Sequence, residues 1–340
     1  MPAFCHTGAE RPNPWRRFME AGQRPGAARG PPLGWAPPAV SANPMETAAL
    51  RRRDEQLLLE FGEVRLELDA ACGARVRRLA LGSTDLLIGE DVHPTNWGST
   101  YWTSPQDDWG WPPVAAIDHE PYTAVVEGDT VSLRSGPALA GTKRLSVTKR
   151  FTPRAGRQAL EVEYVVRNLG DAPFSIASWE ISRVPAGGLS FFAAGAREYT
   201  LVGPHTILPT TKERGVTWFD HRRFEPGQGA KLNADSSGGW LAHVVRGPEG
   251  AGADVLFLKS FDVVPLERQA PGEGVVELYA DETGAYVEVE NQGPFDRIEP
   301  GATSVYRVTW LVRALPRDMK VAIGSADLMG FVQALVDGSE

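Results

Sequence analysis

Val64-Arg65-Leu66-Glu67-Leu68 alternates apolar and polar residues without a break. In an extended chain successive side chains point to opposite faces, so Val64, Leu66 and Leu68 share one face of a half-buried strand. Cys72-Gly73 then turns the chain, and Ala74-Arg75-Val76-Arg77-Arg78-Leu79 resumes extended structure. Tyr122–Val126 and Thr130–Leu133, joined through Glu127-Gly128-Asp129, read as a hairpin. Further strands are expected at Leu145–Phe151, Leu160–Arg167, Phe174–Val184, Trp240–Val245, Val255–Phe261, Val275–Tyr279, Tyr286–Glu290 and Ser304–Val312. Turn signals such as Asn168-Leu169-Gly170-Asp171 and Asp281-Glu282-Thr283-Gly284 separate them. Many closely spaced strands without helical periods between them imply an all-β, antiparallel sandwich and exclude a βαβ fold. The C-terminal end departs from this pattern. Ser325 is placed to cap a short helix whose apolar residues Leu328, Met329, Phe331, Val332 and Leu335 recur near helical spacing.

The organisation expected from this pattern is an N-terminal extension over 1–44, a β-sandwich domain over 55–318, and a C-terminal helix and tail over 319–340. Residues 1–44 hold 9 of the 27 prolines and show neither strand nor helix periodicity, so they are expected to be a disordered Pro/Arg-rich extension. This segment lacks the apolar region of a secretory signal, and Met45 is an alternative start.

The whole chain carries 35 Lys and Arg against 43 Asp and Glu, a net charge of −8. That balance speaks against a nucleic-acid binder that works by neutralising phosphates. No apolar run approaches the roughly 20 residues of a membrane helix. Cys5 and Cys72 are too few for a disulfide framework or a cysteine-based zinc site, and a bridge between them is not expected. The expected setting is the cytoplasm, with no cofactor and no metal.

Chemistry concentrates in two segments. Between Asn96 and Pro113 lie Trp97, Trp102, Trp109 and Trp111, four of the ten tryptophans, mixed with Gln106, Asp107 and Asp108. Interrupted by Gly and Pro, the segment reads as a long irregular loop. Indole faces beside amides and carboxylates suit sugars, which offer C–H faces and hydroxyls; the alternative is a loop that plugs the end of the sandwich. In Ala285–Phe295, alternation puts Glu288 and Glu290 on one face. They are either a general-base pair or a solvated face. Lys259, within an apolar strand, and Arg183, in Trp179-Glu180-Ile181-Ser182-Arg183, either reach water or face a polar cleft. The histidines show no metal-ligand spacing, and His119 stands out only through its neighbours Asp118 and Glu120.

With these segments the chain resembles the galactose mutarotase-like (aldose 1-epimerase) superfamily. The resemblance rests on the Trp-rich Asn96–Pro113 segment, on Trp179–Val184 followed by Gly187-Gly188 and Phe191-Phe192, and on Glu288–Gly293 followed by Pro300-Gly301. It implies a β-supersandwich with a sugar cleft on one concave sheet face, and interconversion of α and β anomers. In that reaction a carboxylate takes the proton of the anomeric hydroxyl while a histidine protonates the ring oxygen. The family's Glu-x-Gln element matches Glu290-Asn291-Gln292, so the resemblance makes Glu290 the base. Where it places the acid histidine this chain has Ser178-Trp179-Glu180, which leaves His119 or Lys259 to supply the proton. The substrate-binding candidates are Trp97, Trp102, Gln106, Trp109, Trp111, Glu180, Arg183, Glu288 and Gln292. The expected function is sugar binding with anomer exchange; the alternatives are a non-catalytic carbohydrate-binding domain and a glycoside lyase or hydrolase. The expected partner is a small carbohydrate.

Overall fold

The computed structural model describes residues 48–53, 56–198, 205–247 and 253–338. The expectation for residues 1–44 lies outside this set. The described residues are antiparallel β almost throughout, with one parallel pairing among them, of Thr206–Ile207 on Ala230–Lys231. It ends in the helix Ala326–Val336, which Ser325 caps by accepting from the Leu328 amide. Leu328, Val332 and Leu335 form the buried stripe of this helix. Among the described residues, no helix is long and apolar enough to cross a membrane.

The strands form two facing layers. One runs from Ala48–Arg53 through Gln56–Phe61, Val64–Asp69, Arg75–Leu81, Ser99–Ser104, Phe174–Pro185 and Tyr286–Gln292 to Val276–Ala280. The other runs from Thr123–Glu127 through Thr130–Arg134, Lys143–Arg154, Ala159–Asn168 and Thr303–Ala314 to Val255–Phe261. Ala230–Val245 belongs to both. Its residues 230–234 pair with Val276–Ala280 in the first layer, and its residues 240–245 pair with Val255–Phe261 in the second.

The expected strands are present, several of them longer than the alternation implies. Two segments differ from expectation. Ser99–Ser104, read as loop, is a fully buried strand in the first layer. The strand expected to begin at Trp240 begins at Ala230 and runs through Ser236-Ser237-Gly238-Gly239 without a hairpin. The expectation that Cys72 stays apart from Cys5 falls on Cys5, which lies outside the described residues.

Between the layers lies a polar knot in an otherwise apolar core. Glu180 of the first layer meets Lys259 of the second at 2.9 Å. Tyr164 and Trp310 also donate to the Glu180 carboxylate, at 2.7 and 2.9 Å. Lys259 in turn donates to the Val289 carbonyl at 2.9 Å and to Asn291 Oδ1 at 3.2 Å. Burying two charges is tolerable only when the remaining hydrogen-bonding positions are filled, and here they are.

Candidate functional site

Register decides which side chains share the outer face of the first layer. In the central strands Trp179 stands opposite Gln292, Ile181 opposite Glu290, and Arg183 opposite Glu288. On one flank Trp102 stands opposite Trp179 and Thr100 opposite Ile181. On the other, Glu277 stands opposite Glu290, Tyr279 opposite Glu288, and Lys231 opposite Tyr279. Directly opposed residues lie on the same side of a sheet, so one face carries the tryptophans, the acids and two cations.

At the centre of this face sits Glu290, fully buried. Its Oε2 accepts from the indole N–H of Trp179 at 2.7 Å and lies 4.0 Å from Lys231 Nζ, while Oε1 has no hydrogen-bond partner. Burial pushes its pKa up to about 8; Lys231 opposes the rise and Glu277 and Glu288 add to it. Lys231 is 2.5 Å from Glu277 and 5.0 Å above the Trp179 ring. Burial acts to lower its pKa, but Glu277 and Glu290 outweigh burial and raise it. Gln292 donates to Glu277 at 2.9 Å. Glu273, pushed up to about 7 by burial and Glu277, accepts from the backbone N–H of Gln106 at 2.8 Å.

Above this layer opens a cavity of ≈ 310 Å³. Trp102, Trp111, Trp179 and Tyr279 wall it, with Asn96, Gln106, His205, Lys231 and Glu288 supplying polar groups. Arg183 holds Glu288 in an ion pair at 2.8 Å and donates to Thr100 Oγ1 at 3.1 Å. Trp102 packs edge-on against Trp109, Trp111 and Trp179, with centroids 5.3–6.0 Å apart. Its indole N–H donates to Asp118 at 2.7 Å. Trp109 is half-buried and donates to the Thr103 carbonyl, whereas Trp111 is 65% exposed. Trp97 is buried beneath the Arg75 guanidinium, 4.4 Å from its ring centre.

The Trp-rich segment is held to the sheet at two glycines. Gly98 has φ +65°, and a Cβ there would lie 2.2 Å from the Val76 carbonyl oxygen. Gly73 has φ +61°, and its Cβ would lie 1.9 Å from the Asp118 carbonyl oxygen. Only glycine permits both the left-handed backbone and the close approach.

Three expected site residues stand elsewhere. Glu180 and Lys259 face the interior of the sandwich, on the side of the sheet away from the cavity, because residue 180 is odd-spaced from Trp179, Ile181 and Arg183. They are structural partners of each other. His119, one of the two groups expected to supply the proton, lines a neighbouring cavity instead, 3.5 Å from the Asp118 carboxylate. Trp102, Gln106, Trp111 and Glu288 line the main cavity, Trp97 and Arg183 line the neighbouring one, and Trp109 lines neither and packs against Trp102. Glu290 and Gln292 form the layer below. Sequence reasoning missed Lys231, Glu277, Tyr279 and His205. The alternation Lys231-x-Asn233 was the available signal for the first, hidden because the strand was read as beginning ten residues later.

Among the described residues no group of three or more His, Cys, Asp or Glu is arranged to hold a metal ion.

A galactose mutarotase-like protein from Lactobacillus casei ATCC 334 superposes on the chain with a TM-score of 0.53. The match covers 76% of this chain and 100% of that one at 12% identity. This is the galactose mutarotase-like fold. A protein from Escherichia coli K12 named as a candidate aldose 1-epimerase matches with a TM-score of 0.51 at 12% identity, over 79% of this chain and all of that one. The Slr1438 protein of Synechocystis sp. PCC 6803 matches with a TM-score of 0.51 at 14% identity, over 79% of this chain and 96% of that one. No protein-family model and no curated protein matches the sequence. At such identities the likeness establishes the galactose mutarotase-like fold, and the chemistry of the cavity is argued from its own residues.

Proposed function

We propose that the protein binds a carbohydrate on the outer face of the first layer, without efficient interconversion of anomers. The observation that carries this reading is the cavity bounded by Trp102, Trp111, Trp179 and Tyr279, with amide, carboxylate and ammonium groups at its edge. Aromatic walls meet the C–H faces of a pyranose, and Asn96, Gln106, Glu288 and Lys231 are spaced around them for hydroxyls.

Anomer exchange needs a base and an acid on opposite sides of the sugar. The acceptors are plentiful. Glu288 lines the cavity as an ion-paired carboxylate, and burial with Lys231 lowers the His205 pKa, which favours the neutral ring. Donors are not: Tyr279 is pushed up to about 12 by burial and nearby acids, and Lys231 is raised too. Trp179 supplies an indole where the resemblance places a histidine, and an indole N–H donates a hydrogen bond without giving up its proton. Glu290, at about 8, is largely a neutral acid at pH 7 and is sealed from the cavity. This set of groups favours binding over turnover.

Saturation-transfer NMR with glucose and galactose, with anomer exchange followed in the same samples, tests the reading. Saturation transfer at the uncatalysed exchange rate is the expected result. Accelerated exchange that Glu290→Gln abolishes would instead make Glu290 the base of an epimerase. Absence of saturation transfer from every sugar tested would remove the carbohydrate reading.

A further inference from the structure

A second cavity of ≈ 200 Å³ adjoins the first, and the two share Asn96, Trp102 and Trp111 as a common wall. Beyond that wall it is lined by Pro94, Trp97, Pro112, Pro113 and His119, with Arg75, Asp118 and Arg183 supplying charge. Its chemistry repeats that of the first: flat apolar surfaces on the sides, and hydrogen-bonding groups fixed in place by burial. Arg75 is buried and anchored through the Thr95 carbonyl at 2.9 Å and Asp118 at 3.4 Å. Its Nε is nonetheless without a hydrogen-bond partner, an uncompensated buried donor of the kind that a ligand or water normally satisfies. Arg183 lines this second cavity, while Glu288, its ion-pair partner at 2.8 Å, lines the first, so one charged pair joins the floors of both.

The charges here are balanced. Arg75 faces Asp118, and Arg183 faces Glu288. A pocket built for a phosphate or carboxylate would leave its cations free for the anion, whereas paired guanidinium and carboxylate groups offer donors and acceptors side by side, as vicinal hydroxyls require. Size points the same way. The first cavity alone lies at the lower limit of small-molecule sites, about 300 Å³, and the two together reach roughly 500 Å³.

From these features, and resting on the carbohydrate reading above, we infer that the cleft takes a neutral glycan of at least two rings. One ring lies over Trp179 and Tyr279, and the next lies in the Trp97–His119 cavity, with the exposed Trp111 astride the linkage.

Isothermal titration calorimetry on the full chain decides this, with glucose and galactose compared against cellobiose, maltose and lactose. At least one disaccharide is expected to bind about tenfold more tightly than either monosaccharide, the gain from one further ring on an aromatic surface. His119→Ala, and separately Thr95→Phe, which fills the second cavity from its rim, should erase that advantage and leave monosaccharide affinity unchanged. Monosaccharides that bind as tightly as all three disaccharides would overturn the two-ring inference while sparing sugar binding. A disaccharide advantage that survives both substitutions, in variants with wild-type circular dichroism, would overturn it as well. Failure of all five sugars to bind would remove the carbohydrate reading and this inference together.

Discussion

The indole N–H of Trp179 donates to Glu290 Oε2 at 2.7 Å, although the two residues are not opposed across the ladder. Trp179 stands opposite Gln292, and Ile181 opposite Glu290, so the bond runs diagonally over the sheet face. Among the described residues it is the one direct hydrogen bond to a carboxyl group whose other oxygen has no partner. Trp179→Phe keeps an aromatic ring and deletes the donor, leaving both oxygens of a buried group unsatisfied. The expected cost is about 1–3 kcal/mol of unfolding free energy. Urea denaturation measures it, and an unchanged midpoint would show that the bond contributes nothing.

Glu290 also sets a pH dependence. Its pKa is about 8 in the folded chain, raised first by burial, against about 4.3 in an unfolded one. The folded state therefore holds the extra proton between these values. The stability this contributes is complete below the unfolded pKa and is lost as pH rises through the folded pKa. Glu290→Gln is uncharged throughout. Between about pH 5 and about pH 8, the difference in unfolding free energy should move steadily in favour of the variant, and it should level off at higher pH. Parallel pH profiles from chemical denaturation would refute the shift.

The Glu180–Lys259 pair predicts an asymmetry between breaking and replacing. Lys259→Met leaves a buried carboxylate without its cation and should cost about 3–5 kcal/mol. Lys259→Met combined with Glu180→Gln removes both charges and should recover a large part of that loss. Arg297–Glu299, 2.9 Å apart but more than 60% exposed on both sides, is the control, with an expected effect below about 1 kcal/mol. Equal losses in the single and double interior variants would contradict this account.

Gly73 and Gly82 share a left-handed backbone but differ in space. Gly82 has φ +55° with nothing within 4 Å of a Cβ, whereas a Cβ on Gly73 would strike the Asp118 carbonyl. Gly82→Ala should cost about 1–2 kcal/mol, the conformational penalty alone. Gly73→Ala should cost clearly more and weaken ligand binding, because Asp118 must move and Trp102 and Arg75 are bonded to it. Matching melting temperatures for the two variants would show that the loop yields freely.

How far the fold was legible depended on whether a strand has one wet face. Val64–Asp69 and Thr130–Arg134 do, so their alternation is visible. Ser99–Ser104 is covered on one side by the core and on the other by the tryptophan segment, so its residues need not alternate, and flanking Gly98 and Pro105 disguise it as loop. The site was legible in part for a related reason. Alternation placed Glu288 and Glu290 together, and the same rule separates Glu180 from Arg183, three residues on. Which face is the cleft depends on what packs against it. No local pattern in an apolar strand such as Val255–Phe261 shows that Lys259 reaches across to the other layer.

Ala230–Val245 begins beside the cavity with Lys231 and ends in the second layer, where His243 lies buried against Ser190 at 3.0 Å. A single strand is thus the warp on which both sheets are woven. The amides that hold Lys231 in place cannot detach without pulling on a strand that the opposite sheet also grips. Amide exchange at Lys231 and Asn233 should then be as slow as at Ala242 and Val244, with one opening energy for all four. A cleft tied in this way admits its ligand by side-chain rearrangement at the rim, and its floor answers only to the unfolding of the whole molecule.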